Sequence, residues 1–343
     1  MSSLVSEFDF SLPPELIAQE PFYPRDHCRL MVVDRERKTW EHRLFYEVLE
    51  YLEPPDVLVI NDTRVLPARF WVYKEETGGK VEILFLRHRG EDWECLLRPS
   101  RKIKVGQILR LQKDSHFSWM VKGQNNGMWL VNPLFSPREE ENLFQSFGEA
   151  PTPPYVKNRN IRLEDYQTVY ARIPGSVAAP TAGLHFTPRL LKKLKEKGVK
   201  VVSLTLHVGL GTFQPVKEER IEDHNMHSEY FVFTESAAQT ILEAKEKGGK
   251  VVAVGTTVVR VLESIWQRSG TLKGMEGETN LFIYPGFHFQ VIDWLITNFH
   301  LPRSTLFMLV CALAGTDFMK EAYEEAIKNN YRFFSFGDAM LIK

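Results

Sequence analysis

The chain has few cysteines: Cys28, Cys95 and Cys311 are far apart and form no CxxC pair. That excludes a disulfide framework and a zinc knuckle and fits a reducing compartment. Charge of one sign is lacking as well. Forty-three Lys and Arg against 44 Asp and Glu leave a formal net charge of -1. Proteins that coat long stretches of duplex are more basic, so any nucleic-acid contact must come from local patches. Long apolar runs are missing too. The longest, Thr305 to Ala314, is too short to span a bilayer and reads as a buried helix. Met1 to Phe10 carries Glu7 and Asp9 without a basic or apolar leader segment, so no signal peptide is expected. Neither a phosphate-binding P-loop nor a GxGxxG dinucleotide fingerprint is found. The expectation is a cytoplasmic protein with no membrane contact.

What is there is 343 residues of ordinary globular composition, 43% hydrophobic and 25% charged, enough for two domains. Arg29 to Asp34 and Val57 to Ile60 read as strands, and Pro13-Pro14 as a helix start. From Val65 to Tyr155 six short strand-like runs follow one another with glycine turns and no helical pattern, which points to a small barrel. From Lys157 onward strands alternate with helices. Thr187, Thr234 and Ser304 are placed as helix caps, and Gly198 and Gly248 as helix stops. Predicted helices begin at Pro188, Glu235, Thr256, Thr305 and Phe318. Predicted strands are Val199 to Leu206, Lys250 to Val254 and Asn280 to Tyr284. The reading is an α/β fold: a mixed, largely parallel sheet with helices, formed by residues 1–64 and 156–343, with a small β-barrel domain, 65–155, inserted into it.

Polar residues gather where strands end and helices begin, the place at which open α/β sheets bind ligands. Asn61-Asp62-Thr63-Arg64 leaves a buried strand; its plain structural alternative is a capped turn with Asp62 paired to Arg64. Gly175-Ser176 through Thr181, Gly183 and His185 is rich in small residues that let a ligand approach the backbone. The alternative there is tight packing, with His185 bonded to a carbonyl. His207, Gly209, Gly211 and Thr212 form a second glycine-opened loop. His224, His227 and Glu229 are close enough to suggest a metal, but the run lacks a helical pattern and no further ligand is evident. An acid–base or orienting role is preferred, and no metal is expected. Gly255-Thr256-Thr257 and Asn298 to Ser304 open two helices, with Arg260 placed to face anions at the first; for Thr256 and Ser304 the alternative is capping alone. Six of the ten histidines fall between His185 and His300, nearly all at element ends.

Together these segments resemble a known family. Phe8-Asp9-Phe10 with Leu12-Pro13 and Glu15 to Gln19, Asn61 to Val65, Gly175 to Phe186, His207-Val208-Gly209 with Gly211 to Phe213, His224 with Met226-His227 and Glu229, Val254 to Thr257, Asp293 with Leu295 to Pro302, and Tyr331 to Met340 resemble the S-adenosylmethionine:tRNA ribosyltransferase-isomerase family of queuosine biosynthesis. Residues 110 to 150 carry no matching motif. The resemblance implies transfer of the ribosyl part of S-adenosylmethionine to a 7-aminomethyl-7-deazaguanine in tRNA, with isomerisation to epoxyqueuosine and release of adenine and methionine. It also implies an α/β domain with an inserted barrel and no metal.

Such chemistry needs a base for a carbon or amine proton and an acid for departing adenine. The candidates are Asp62, Arg64, His185, His207, His227 and Glu229. Substrate contacts are assigned to Gly175, Ser176, Thr181, Gly183, Gly209, Gly211, Thr212, Gly255, Thr256, Thr257, Arg260, Asn298 and His300. Arg98, Arg101, Lys102 and Lys104 form the expected tRNA patch, while Lys192, Lys193, Lys195 and Lys197 read as a solvated helix face. The partners are then tRNA and S-adenosylmethionine, the latter consumed rather than held as a cofactor, and a monomer is expected. Two other classes stay open: a small-molecule enzyme that uses S-adenosylmethionine without RNA, and a non-catalytic RNA-binding module.

Overall fold

The computed structural model describes every residue except 1–3, 112–115, 126, 159 and 210–215. It divides into two compact units: Met1–Arg64 with Pro153–Asn160 and Asp165–Lys343, and Val65–Thr152 with Ile161–Glu164.

In the larger unit nine strands assemble a sheet whose central members, rich in Val, Ile and Leu, are buried on both faces. Its order is Met275–Thr279, Glu229–Phe233, Lys200–Leu206, Val57–Asn61, Val251–Val254, Trp294–Asn298, Ala339–Ile342, Arg29–Asp34 and Thr39–Leu44. Lys200–Leu206, Val57–Asn61, Val251–Val254 and Trp294–Asn298 run parallel, as do Arg29–Asp34 and Ala339–Ile342. Antiparallel pairs join and flank these, giving a mixed sheet.

Pleating alternates side chains between faces, and the central strands show it. Val57, Val59, Val251 and Ala253 enter one core with the helices Glu235–Glu246, Thr256–Ser269, Thr305–Ala314 and Thr316–Lys328. Leu58, Ile60, Val252 and Val254 enter a second core with Leu190 and Leu194 of the helix Pro188–Lys197. The expected caps form. Thr187, Thr234 and Ser304 accept from the third amide beyond each, at 3.1, 3.2 and 3.1 Å. Gly198 ends its helix at φ +97°.

Two expectations need correction. Asn280 to Tyr284 is not a strand; the strand is Met275–Thr279, just before it, held by pairing with Glu229–Phe233. Its sequence, MEGET, carries little apolar signal because it is an edge strand. The smaller unit also contains a helix, Glu140–Phe147. It is eight residues long and buries only Leu143 and Phe144, too little to show as a period.

That unit is a closed six-stranded barrel: Met128–Pro133, Asp92–Arg98, Lys80–Arg89, Arg69–Lys74, Ile108–Leu111 and Ser118–Asn125. Closure removes exposed sheet edges. Phe70, Phe85, Trp93 and Trp119 pack inside, and Phe144 of the helix meets Phe70 and Phe85 with centroids at 5.2 and 5.3 Å. Among the described residues no helix is long and apolar enough to cross a membrane.

The C-terminal turn of the larger unit is pinned by buried Asp338. Its Oδ1 accepts from Arg29 N at 2.9 Å, and its Oδ2 from Arg29 Nη2 at 2.9 Å and Arg332 N at 2.8 Å. Asp338→Ala orphans these donors and is expected to cost about 3 kcal/mol in urea unfolding. An unchanged midpoint would show that the turn holds without the carboxylate.

Candidate active site

Two of the sheet's strand ends meet at one rim. The strand Val251–Val254 runs into Gly255, at φ +88°, and then the helix Thr256–Ser269. The parallel strand Trp294–Asn298 runs into His300 and then the helix Thr305–Ala314. Gly255 N donates to Ile296 O at 2.8 Å and ties the two strand ends together. The segment Ala179–Ala182 forms a further wall, and Tyr155, Phe334 and Ser335 another. Between them lies a pocket that opens to solvent. Thr181, Gly255, Thr256, Thr257, Asn298 and His300 all line it. Among the described residues no Asp, Glu, Lys or Arg does.

Asn298, buried, organises this rim. Its Nδ2 donates to Phe334 O at 3.1 Å, which fixes the orientation of the amide. Nδ2 therefore also donates to His185 Nε2, 3.0 Å away, and Oδ1 accepts from Thr181 Oγ1 at 3.0 Å. With Nε2 accepting, the neutral His185 ring carries its proton on Nδ1, 3.1 Å from Cys28 Sγ. Both nitrogens are thus occupied by protein and the ring is buried. His185 sits behind the cavity wall and holds Asn298; it is not at the rim of a cradle and bonds no carbonyl. His300 is likewise buried, with Nε2 2.8 Å from Thr297 Oγ1.

A second cluster lies at the ends of Val57–Asn61 and Lys200–Leu206. Asn61 Oδ1 accepts from Leu206 N at 3.0 Å and Thr63 N at 3.1 Å, locking the two strand ends. Asp62 accepts from Thr205 Oγ1 at 2.6 Å and pairs with Arg172 at 2.8 Å, not with Arg64. Asp62 O accepts from Arg172 N at 2.7 Å, bringing that guanidinium alongside, while Arg64 is exposed. His207 is half-buried. Its Nδ1 lies 2.8 Å from Thr63 Oγ1, and its ring stacks on Tyr230. A Cβ on Gly175, at φ +142°, would stand 2.8 Å from His207 Cε1 and Nε2, so only glycine fits beside this ring. Burial lowers the His207 pKa, against the pull of Asp62. The clusters do not share one cavity. Asp62, His185 and His207 are outside the lining, but Val208, next to His207, is part of it.

Most other candidates are engaged within the protein. Ser176 Oγ donates to Ala178 O at 2.7 Å and accepts from Val208 N at 2.9 Å, so it is engaged with backbone. Gly183 is packed: a Cβ there would lie 2.0 Å from Tyr170 Oη. Arg260 does not face a ligand anion. It is buried in an ion pair with Glu229, which in turn accepts from Gly209 N at 2.8 Å. Glu229 thus braces a loop and a helix at once. His224 Nδ1 meets Glu218 at 3.0 Å, and His227 is exposed. Gly211 and Thr212 lie outside the described residues. Among the described residues no group of three His, Cys, Asp or Glu is arranged to hold a metal ion. Ser304 caps its helix. In the smaller unit Arg98, Arg101, Lys102 and Lys104 are all exposed, around the buried Ile103.

Sequence reasoning did not single out Tyr155, Thr205, Arg172, Phe334 or Ser335. Phe334 and Ser335 lie inside the Tyr331 to Met340 block, which offered a signal; Tyr155 only follows a proline-rich run. Phe334 adopts φ +71°, a left-handed conformation that costs a bulky residue about 1–3 kcal/mol. It is held there by Phe334 N donating to Phe299 O at 3.1 Å and by Asn298 and Gly337 donating to its carbonyl.

Burial pushes His185 and His300 down to about 3, with Arg25 and Arg332 adding to the effect at His185. The unfolded chain takes up these protons near pH 6.5, the folded chain far lower. Their contribution to stability is therefore complete above pH ~6.5 and lost as pH falls towards about 3. Between pH 6.5 and 5 the two rings should remove about 3 kcal/mol. Urea unfolding at both pH values measures this, and His300→Gln should abolish about half of it. A variant with the wild-type pH dependence would count against the assignment.

A family model described as queuosine biosynthesis protein matches residues 5–342. A Thermotoga maritima protein named S-adenosylmethionine:tRNA ribosyltransferase-isomerase is 52% identical over 339 residues, 98% of this chain and 99% of that protein. One of the same name from Moorella thermoacetica is 52% identical over 340 residues, with the same shares. A crystal structure of S-adenosylmethionine tRNA ribosyltransferase from Thermotoga maritima superimposes with a TM-score of 0.58 at 42% identity, covering 98% of this chain and all of that one. The chain belongs to the family of queuosine biosynthesis proteins.

Proposed function

We propose that the protein transfers and isomerises the ribosyl moiety of S-adenosylmethionine onto 7-aminomethyl-7-deazaguanine in tRNA, giving epoxyqueuosine-tRNA and releasing adenine and methionine. S-adenosylmethionine is a substrate in this reading, and no separate cofactor is assigned. The observation that carries it is the cavity at the strand ends, lined among the described residues by hydroxyl, amide and aromatic groups and free of carboxylates and ammonium groups. Such a lining suits a nucleoside. The first turn of the helix Thr256–Ser269 offers bare amides to the carboxylate of the methionyl part.

The sulfonium makes the protons of the adjacent ribose carbon acidic and methionine a good leaving group. His207, next to Val208 of the cavity lining, is the candidate acceptor for such a proton. Its lowered pKa keeps it neutral at physiological pH, Thr63 holds Nδ1, and among the described residues Nε2 is left for transfer. Asp62 acts beside it, oriented by Thr205 and Arg172. His185 and Glu229, both enclosed by partners, serve to hold the site. The exposed Arg98, Arg101, Lys102 and Lys104 supply phosphate contacts for tRNA.

Incubation with S-adenosylmethionine and precursor-bearing tRNA should release adenine. His207→Ala should lower kcat by roughly 10²- to 10⁴-fold, and Asp62→Asn should also reduce it. Adenine release without RNA would favour a small-molecule enzyme, and RNA binding without release a plain RNA-binding module. Undiminished turnover in both variants would remove His207 and Asp62 from the chemistry.

Binding of tRNA should weaken with salt. Neutralising Arg101 and Lys102 should flatten the log–log slope by about 0.7–0.9 for each phosphate no longer paired with a cation. A slope identical to that of the wild type would move the RNA surface elsewhere.

A further inference from the structure

Two sequence blocks take no part in the chemistry above: the N-terminal Phe8 to Gln19 and the C-terminal Tyr331 to Met340. They meet a third segment, after Pro154, on one wall of the cavity. Ile17 bridges Phe333 in parallel; Phe333 N donates to Leu16 O at 2.7 Å and Ala18 N to Phe333 O at 3.1 Å. Gln19 reaches the third segment with both ends of its amide. Nε2 donates to Tyr155 O at 3.0 Å, and Oε1 accepts from Lys157 N at 2.7 Å. These bonds set the Tyr155 ring against Phe334, with centroids 4.5 Å apart and planes at 26°, and place Tyr155 Oη 2.6 Å from Ser335 Oγ.

Glycine would hold the Phe334 backbone without strain. What glycine lacks is a ring, and here the strained residue contributes one to the cavity. Tyr155, Phe334 and Ser335 all line it. The hydroxyl pair can present a donor or an acceptor, since either oxygen can carry the shared proton. Burial raises the Tyr155 phenol above its ordinary range, so the pair stays uncharged. A flat π-surface beside a neutral donor–acceptor pair is the complement of a purine, which has a π-face and an edge of both polarities.

We infer that Tyr155 and Phe334 form a stacking wall for a purine base, with the Tyr155–Ser335 hydroxyls meeting its edge and Gln19 acting as the positioning residue. The inference rests on the proposed reaction, in which that purine is the adenine of S-adenosylmethionine. Stacking would hold the base in register while its bond to ribose breaks, so the wall acts through binding and alignment.

The test is calorimetric binding of S-adenosylmethionine and of adenosine to the full-length protein. Tyr155→Ala should weaken both by roughly 5- to 150-fold, the range for removing one base–aromatic stack. Tyr155→Phe should recover most of the affinity, because the ring remains. Gln19→Ala should weaken both ligands in the same direction, and its KM for S-adenosylmethionine should rise more than its kcat falls. Thermal unfolding checks that each variant folds; if Tyr155→Ala does not, Gln19→Ala and Tyr155→Phe carry the test. Affinities for both ligands unchanged in Tyr155→Ala and Gln19→Ala would overturn the wall and leave ribosyl transfer standing. Adenosine binding weakened by Tyr155→Ala, in a protein that releases no adenine from S-adenosylmethionine and tRNA, would keep the wall and overturn the proposed reaction. A wild-type protein that binds neither ligand would overturn both.

Discussion

One buried carboxamide, that of Asn298, sets the geometry on which the cavity depends. It stands at the end of a parallel strand, where its own backbone is fixed by the sheet. Its three hydrogen bonds then fix Thr181 on one wall, Phe334 on another and His185 behind. A buried amide with every group satisfied specifies one arrangement, since losing any partner strands a polar atom in the core. Enclosed in this way His185 is shut off from solvent, and that burial is the main cause of its depressed basicity. A protonated ring could no longer accept from Asn298, and its charge would face Arg25 and Arg332.

The second organising fact is where charge is placed. Among the described residues the cavity lining carries none, while charged residues near it are tied into pairs: Glu229 with Arg260, Asp62 with Arg172, Asp338 with Arg29. Each pair joins segments distant in sequence. Removing the arginine of any pair would leave a buried, uncompensated carboxylate, so the pairs enforce the loop positions more than they add stability. The same arrangement leaves helix amides and hydroxyls as the polar groups facing a ligand.

Much of the architecture was legible because its signals are local. Thr187, Thr234 and Ser304 cap the helices they precede, since capping needs only an oxygen within three residues. Apolar runs such as Val57–Asn61 and Val251–Val254 mark central strands. What was not legible depends on pairing across the chain. Met275–Thr279 is a strand because Glu229–Phe233 lies beside it, not because of its own composition. Arg260 reads as an anion contact from its helix position, yet the anion it meets is Glu229, 31 residues away in sequence. Asp62 finds Arg172 rather than its near neighbour Arg64 for the same reason. Tyr155 lines the cavity beside Phe334, and its carbonyl accepts from Gln19, 136 residues away in sequence.

The run from Gly175 to His185 shows why packing and binding readings of one motif need not compete. Gly183 is demanded by Tyr170, whose hydroxyl occupies the place of a side chain, and Ser176 spends both its hydrogen-bonding roles on backbone. Gly175 makes room for the His207 ring. None of these three lines the cavity, while Ala179, Pro180, Thr181 and Ala182 between them do. Small residues at the two ends of the run let the chain pass close to bulky neighbours. That close passage brings the middle of the run to the rim, where its backbone and short side chains leave space for a ligand. The motif's glycines therefore act on the site through the placement of their neighbours, and a Cβ at Gly175 or Gly183 would disturb the cavity without ever touching what it holds.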